Sequence, residues 1–341
     1  MKALLIGGTG TISASITELL VEKGWEVTLL NRGNRELPKG AEQLVADIYN
    51  EQDVRSKLAG RRFDVVADFL SYVTEDIQRN IRLFSGITDQ YIFISSASAY
   101  QKPLAGLPIT ESTPLYNPYW QYSRDKIACE DVLISHYRST GWPVTIVRPS
   151  HTYDKSSIPM PLHGNNGSWQ VLQRMQKGKP VIVHGDGSSL WTLTHSRDFA
   201  KGFTGLMGNV HAIGEAVHIT SDEILTWNDI FRLYASALKV SFEPVYIPSS
   251  LLAKAGAKMG YDFEGALLGD KANSVLFDNS KLKRLVPDYV ATTRFDTGAK
   301  EIVQYHLTHT ESQIPDEDFE CFCDSMIETM TQAQLSACGN D

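Results

Sequence analysis

Long apolar runs are missing from this 341-residue chain; none approaches the roughly 18–20 residues needed to span a bilayer. Cysteine is scarce as well. The four present, at 129, 321, 323 and 338, lack the spacing of a disulfide framework. The one close pair, Cys321 and Cys323, has no nearby histidine or cysteine to complete a zinc site, so no metal is expected. Nor is there a surplus of positive charge. The net charge is −8, and residues 306–341 hold eight acids (Glu311, Asp316, Glu317, Asp318, Glu320, Asp324, Glu328, Asp341) with no Lys or Arg. Without those eight, 32 of the 40 acids face 32 bases, and a neutral body offers no electrostatic footprint for nucleic acid. The opening Met1–Ile6 resembles a signal peptide in hydropathy, but it breaks at Gly7 and runs into a stretch carrying Glu18, Glu22 and Lys23. A strand leading into a helix explains it better. The expectation is a reduced, soluble, cytoplasmic protein without a membrane partner.

What is present is rhythm. Short β-rich runs at Ala3–Ile6, Glu26–Leu30, Gln43–Val45, Asp64–Phe69, Gln90–Ile94 and Pro143–Val147 alternate with amphipathic stretches such as Ser13–Lys23 and Thr74–Phe84. Thr74 reads as a helix cap. Strands apolar on both faces, separated by helices, predict an α/β fold: a Rossmann-like, doubly wound parallel sheet with a smaller α/β C-terminal substrate domain. Residues 1–153 form the first unit, and segments near 180–220 return to it. Residues 154–305 are mainly the substrate domain, opening on a Pro/Ser/Gly/Asn-rich loop or lid at 154–168. Residues 306–341 are an acidic helical extension. There Phe319, Phe322, Cys323, Met326, Ile327 and Met330 fall at helical spacing behind Pro315 and three acids, a stripe that docks on the body or on a partner subunit.

Gly7-Gly8-Thr9-Gly10 lies between the first strand and the first helix. A dinucleotide pyrophosphate needs backbone N–H groups at a helix N-terminus with no side chains in the way, and Gly7 and Gly10, followed by Thr11 and Ile12, meet that need. The third glycine of the Gly-x-x-Gly-x-x-Gly spacing is replaced by Ser13. Either the helix stands further from the sheet or Ser13 donates to a phosphate. After the second strand comes Asn31-Arg32-Gly33, with no acid to hold a ribose 2′-hydroxyl. Asn31 and Arg32 could instead accommodate the 2′-phosphate of NADP; the alternative is that Arg32 is a solvated turn residue. The cofactor expectation is NAD(P), with NADP favoured. Asp47 and Ile48, closing the third strand, are placed to meet the adenine.

Tyr122 and Lys126 stand one helical turn apart on one face, so the ammonium is expected to lower the pKa of the phenol for proton transfer near neutral pH. Upstream, Ser95-Ser96-Ala97-Ser98-Ala99-Tyr100 ends a strand with hydroxyls. Taken in order, Gly7–Gly10, Asp47-Ile48, Ser95–Tyr100, Tyr122/Lys126, Arg148-Pro149 to Tyr153, Gly185-Asp186-Gly187 and His195 to Ala200 resemble the extended short-chain dehydrogenase/reductases, the NAD-dependent epimerase/dehydratase family, over roughly residues 1–305. The resemblance implies Ser96, Tyr122 and Lys126 as catalytic residues. Tyr122 is the implied acid/base, and Lys126 also holds the nicotinamide ribose. It further implies cofactor contacts at Leu70, Ser95, Pro149 and Ser150, substrate contacts at Tyr72, Ser98, His151 and Trp191, and a homodimer built on the Thr74–Phe84 and Tyr122–Tyr137 helices.

Two departures narrow the chemistry. Relatives that dehydrate a sugar carry an acid just after the catalytic serine or threonine; here Ala97 and Ser98 stand there, which speaks against a 4,6-dehydratase. Nucleotide-sugar enzymes of the family carry an arginine four residues after Gly-Asp-Gly to grip the diphosphate; here it is Trp191, with Arg174 or Arg197 as candidate substitutes. His195-Ser196-Arg197-Asp198 reads as a helix start capped by Asp198. Hydride transfer on a sugar or nucleotide-sugar, as epimerase or oxidoreductase, heads the readings. Behind it come an NADP-dependent reductase or dehydrogenase of a smaller ketone or alcohol, and a non-catalytic cofactor-sensing or RNA-binding relative.

Overall fold

The computed structural model describes residues 1–338; Asp341 and the side chain of Cys338 lie outside the described residues. Strands β1 (Lys2–Ile6), β2 (Glu26–Asn31), β3 (Glu42–Val45), β4 (Val65–Asp68), β5 (Tyr91–Ile94) and β6 (Val144–Pro149), with a seventh at Ala216–Ile219, form one sheet. Its order is Ala216–Ile219, β6, β5, β4, β1, β2, β3, and every pairing is parallel. The two-residue side-chain period of a strand explains the composition of these runs. On β1, Ala3 and Leu5 enter one core together with Ile16, Leu20, Phe199 and Phe203. Leu4 and Ile6 enter another with Val54, Ile77, Phe84 and Leu133. Helices α1 (Thr11–Glu22), α2 (Glu51–Leu58), α3 (Thr74–Phe84) and α4 (Gln121–Thr140) supply the cover, joined on the α1 side by a later helix. Strand order reverses between β1 and β4. The crevice beyond their carboxyl ends is where open α/β sheets bind ligands.

The remainder packs around a third core containing Tyr153, Trp169, Val183, Trp191, Trp227, Phe231, Tyr261, Phe295 and Phe319. Val181–His184 belongs here: it pairs in parallel with Pro244–Ile247 rather than with the central sheet. The chain returns to the sheet with α6 (Ser196–Leu206), which packs on α1, and with Ala216–Ile219. Two helix starts differ from the sequence expectation. Thr74 is already helical, and the free N–H groups of Tyr72 and Val73 donate to Asp76 Oδ2 at 3.0 and 3.4 Å. At α6 the cap is His195, whose Nδ1 accepts from Arg197 N (3.1 Å), while buried Asp198 accepts from Thr293 N at 2.7 Å and ties down a distant loop. In both cases a carboxylate inside the first turn is favoured by the helix dipole and still reaches backbone donors outside it.

The helix Glu317–Cys338 lies on the third core, burying Phe319, Phe322, Cys323 and Met326. Its acids are matched by α5 (Trp169–Gln176) and the loop after it. Arg174 meets Asp324 at 2.7 Å and Glu320 at 2.9 Å and also donates to the Pro180 carbonyl; Lys179 meets Glu320 at 2.6 Å. Packing is tight where this segment crosses residues 163–168: a Cβ on Gly164 would sit 2.6 Å from Phe319 Cβ. Arg174, 1% exposed, loses both its charge partners and a carbonyl on truncation. Discounted for the half-exposed Asp324, the Arg174→Ala variant is expected to be less stable by about 2–3 kcal/mol in urea unfolding.

Candidate functional site

The loop between β1 and α1 is held open from behind. Gly7 (φ +109°) and Gly8 (φ +87°) take backbone conformations that favour glycine, and a Cβ on Gly8 would lie 2.5 Å from Leu29 Cδ2. Thr17 Oγ1 donates to the carbonyls of Gly8 (2.8 Å) and Ser13 (2.9 Å), fastening the loop to its helix. Ser13, the residue in place of the third glycine, is buried and its Oγ accepts from Gly10 N at 3.0 Å. It therefore braces the turn, and Gly10 caps α1 with its N-terminus facing a cleft of about 640 Å³. That cleft is lined by every residue named above for the cofactor, from Gly7 to Pro149, except Ser150. Tyr72, expected at the substrate, lines this cleft instead, because the loop after β4 turns it over Tyr122 and Lys126. Ser150 falls on the substrate side.

At the far end the cleft meets Arg32, Asn34, Arg35, Asp47, Ile48 and Tyr49. Asn31 is occupied by its own turn: its Oδ1 accepts from Gly33 N and from Gln43 Nε2, both at 2.9 Å. Arg35, which the sequence reading passed over, donates to the Thr9 carbonyl (2.8 Å) and bridges the glycine loop to this end. The glycine cradle, the helix N-terminus and the two arginines fit a phosphate-bearing dinucleotide.

In the middle, α4 brings Lys126 into the gap between β4 and β5. Its ammonium donates to the Ser71 carbonyl at 2.6 Å and the Ile94 carbonyl at 2.8 Å. Burial pushes it down to about 8, against the lift from Asp68. Tyr122 behaves opposite to expectation: burial pushes its hydroxyl up to about 12, and Ser96 beside it draws it only partly back. The ammonium is turned to the two carbonyls and sits 5.8 Å from the Tyr122 ring centroid. Ser95 lines the cleft, but its hydroxyl donates to Glu130, which is locked to Arg148 at 2.6 Å.

On the other side of Tyr122 lies a cavity of about 260 Å³. Three of the expected substrate residues meet there, Ser98, His151 and Trp191, together with the expected catalytic Ser96. Trp191 Nε1 donates to His151 Nδ1 at 3.1 Å and its ring packs on Trp227. Burial, with Lys271 nearby, pushes His151 down to about 3, so it is a neutral imidazole. The opposite wall was not foreseen: Trp120, Asp270, Lys271, Val275 and Phe277. Asp270 and Lys271 end a π-helical segment, Glu264–Lys271, and pair at 3.6 Å. Neither candidate substitute for the absent arginine lines this cavity: Arg174 is engaged by Asp324 and Arg197 by Glu301 (2.7 Å).

Residues 3–219 match the model of the NAD dependent epimerase/dehydratase family, and the chain belongs to that family. It is 26% identical to a 2′-dehydrokanamycin reductase of Streptomyces kanamyceticus over 85% of this chain and 80% of that protein. It is 28% identical to a chloroplast stem-loop binding protein of Arabidopsis thaliana over 69% of this chain and 63% of that one. In fold it is similar to a UDP-glucuronic acid 4-epimerase from Bacillus cereus, solved with UDP-glucuronic acid and NAD (TM-score 0.71, 19% identity, 90% of this chain and 99% of that one). It is likewise similar to a dTDP-glucose 4,6-dehydratase from Bacillus anthracis (TM-score 0.71, 16% identity, 91% and 98%).

The neutral His151 makes stability depend on pH. Its folded value, about 3, lies below the ordinary 6.5, so in acid the unfolded chain takes up a proton that the folded chain refuses. The contribution is complete above about 6.5 and is lost progressively as pH falls toward 3. Between pH 7 and pH 4, His151→Gln should lose about 3 kcal/mol less stability than the wild type in urea titrations.

Proposed function

We propose that this family member transfers a hydride at a hydroxyl- or keto-bearing carbon of a sugar ring, with NADP as cofactor and Tyr122 as acid/base. The observation that carries the reading is that Tyr122 and Pro149 line both the cofactor cleft and the smaller cavity, so the phenol stands where the two contents meet. Backbone groups from Gly7 to Ile12 would hold the pyrophosphate, Asp47 and Ile48 the adenine, and Arg32 with Arg35 a 2′-phosphate. Two of the three Lys126 donors are used by carbonyls, which leaves one for a ribose hydroxyl. A nicotinamide bound there supplies the hydride donor or acceptor.

Tyr122 is protonated at neutral pH, and so is set to protonate a carbonyl oxygen as that carbon is reduced. The resulting phenolate is stabilised by the hydroxyl of Ser96. In the oxidative direction the same oxygen takes the hydroxyl proton back. Dehydration needs a separate acid and base beside the serine; Ala97 and Ser98 occupy those positions, and Asp270 is paired with Lys271.

The substrate reading is a sugar without a nucleoside diphosphate. The cavity lies below the usual span of about 300–1,000 Å³ for ligand pockets, and no arginine lines it. Trp120, Trp191 and Phe277 offer aromatic faces to a sugar ring. The similarity to a 2′-dehydrokanamycin reductase supports this reading. A nucleotide-sugar epimerase is the second reading, favoured by Lys271 as a cation for a phosphate. Absorbance at 340 nm separates the two: net reduction consumes NADPH, whereas epimerisation converts the sugar without a net change. A homodimer through α3 and α4 belongs to the same proposal, and sedimentation at micromolar concentration should show twice the chain mass.

Tyr122→Phe should cut turnover by about 10²–10⁴-fold and leave the cofactor Kd within a few-fold of wild type. Arg32→Ala should weaken NADPH about tenfold in fluorescence titration and NADH hardly at all. Equal losses for both cofactors would refute the assignment of Arg32 to the 2′-phosphate.

A further inference from the structure

Beyond Tyr122 the helix carries a second hydroxyl with no assigned part. Ser123 is fully buried, and its Oγ donates to Ser98 Oγ at 2.8 Å instead of bonding back along its own helix. Ser98 Oγ lies 2.8 Å from Ser96 Oγ, and Ser96 Oγ also accepts from Ser98 N at 3.2 Å. The three oxygens form a chain whose last member, Ser96, lines the substrate-side cavity together with Tyr122.

Hydrogen-bond accounting gives this chain a direction. A hydroxyl has one hydrogen to give and two lone pairs to fill. Ser98 is buried and already accepts from Ser123. Were it to accept from Ser96 too, its own hydrogen would have no acceptor among the described contacts, at the cost of an unmet buried donor. Ser98 therefore donates to Ser96. Both lone pairs of Ser96 are then taken, one by Ser98 N–H and one by Ser98 O–H, so its hydrogen has to point outward. Asn117 holds the turn in place by donating to the Ser98 carbonyl at 2.9 Å and the Gly269 carbonyl at 2.7 Å.

We infer that Ser123 is a positioning residue: it sets the polarity of the Ser123–Ser98–Ser96 chain so that Ser96 donates, and does not accept, at the reacting oxygen. The chain acts on whichever oxygen bears negative charge, that of Tyr122 after proton transfer or that of the substrate before it. A serine that could turn either way would spend part of its time offering a lone pair to the same oxygen. The inference rests on Tyr122 being the acid/base, as proposed above.

The test compares wild type with Ser123→Ala, Ser123→Thr and Tyr122→Phe, all loaded with NADPH. Alanine is the better helix former, so Ser123→Ala is expected to fold, with unchanged circular dichroism and cofactor affinity. Two quantities are read. One is the pH profile of kcat on the sugar that the wild type reduces. The other, which needs no turnover, is the Tyr122 Cζ resonance in protein labelled with [ζ-¹³C]tyrosine, assigned by its loss in Tyr122→Phe. In Ser123→Ala the Tyr122 resonance should shift, kcat should fall about tenfold, and the limb of the profile belonging to Tyr122 should move to higher pH. Ser123→Thr, which keeps the hydroxyl, should restore all three. A Ser123→Ala protein with wild-type resonance and wild-type profile overturns the inference and leaves Tyr122 as acid/base intact. A Tyr122→Phe enzyme with full turnover overturns the acid/base reading itself.

Discussion

One buried ammonium carries the geometry of this site. Lys126 is clamped between the carbonyls of Ser71, in the loop after β4, and Ile94, at the end of β5, and reaches them from the second turn of α4. The acceptors are positioned by a network one layer down. Asp68 accepts from Leu70 N (2.9 Å), from Asn80 Nδ2 (2.8 Å) and from the Tyr91 hydroxyl (2.5 Å), so the loop after β4 has one available course. That course puts the Ser71 carbonyl beneath the ammonium and Tyr72 above it. With Lys126 fixed, α4 is fixed in rotation, and Tyr122 one turn earlier has to face the seam between the two cavities. The clamp also accounts for the protonation states. An ammonium committed to carbonyls does little for a phenol, so burial governs Tyr122 and keeps it in its acid form.

Much of this was legible in the sequence because it is local or periodic. Strands with apolar residues on both faces announce a covered parallel sheet, since odd and even positions of β1 enter different cores. Gly7 and Gly10 are legible because a tight approach to a helix N-terminus admits few other residues. Other features need three dimensions. The sign of the Tyr122 shift depends on a competition between burial and a charge whose orientation the spacing of Tyr-x-x-x-Lys does not reveal. Asp76 was hidden, and Asp198 was taken for a cap, for a related reason: their carboxylates serve N–H groups from inside the first turn.

The substrate side was the least legible. Asp270 and Lys271 come from a π-helical segment, whose five-residue hydrogen-bond spacing has no signature in hydropathy, and they face Trp191 across a cavity closed only by the tertiary fold. The acidic character of residues beyond 306 was plain; its counterpart was not, because Arg174 and Lys179 lie far away in sequence, and Arg174 read instead as a candidate for the substrate.

That last separation has a consequence in time. Arg174 waits for Asp324 across 150 residues, and Phe319, Phe322 and Met326 complete the same core as Trp169 and Leu172. At about 5–20 residues per second on a ribosome, roughly eight to thirty seconds pass between the emergence of α5 and the arrival of its cover. During that interval the sheet can collect its first six strands, while the aromatic half stays an unfinished surface with a cation on it. A chaperone that shelters nascent chains would therefore find its longest-lived target on α5 and the strand that follows, and not on the glycine loop between β1 and α1.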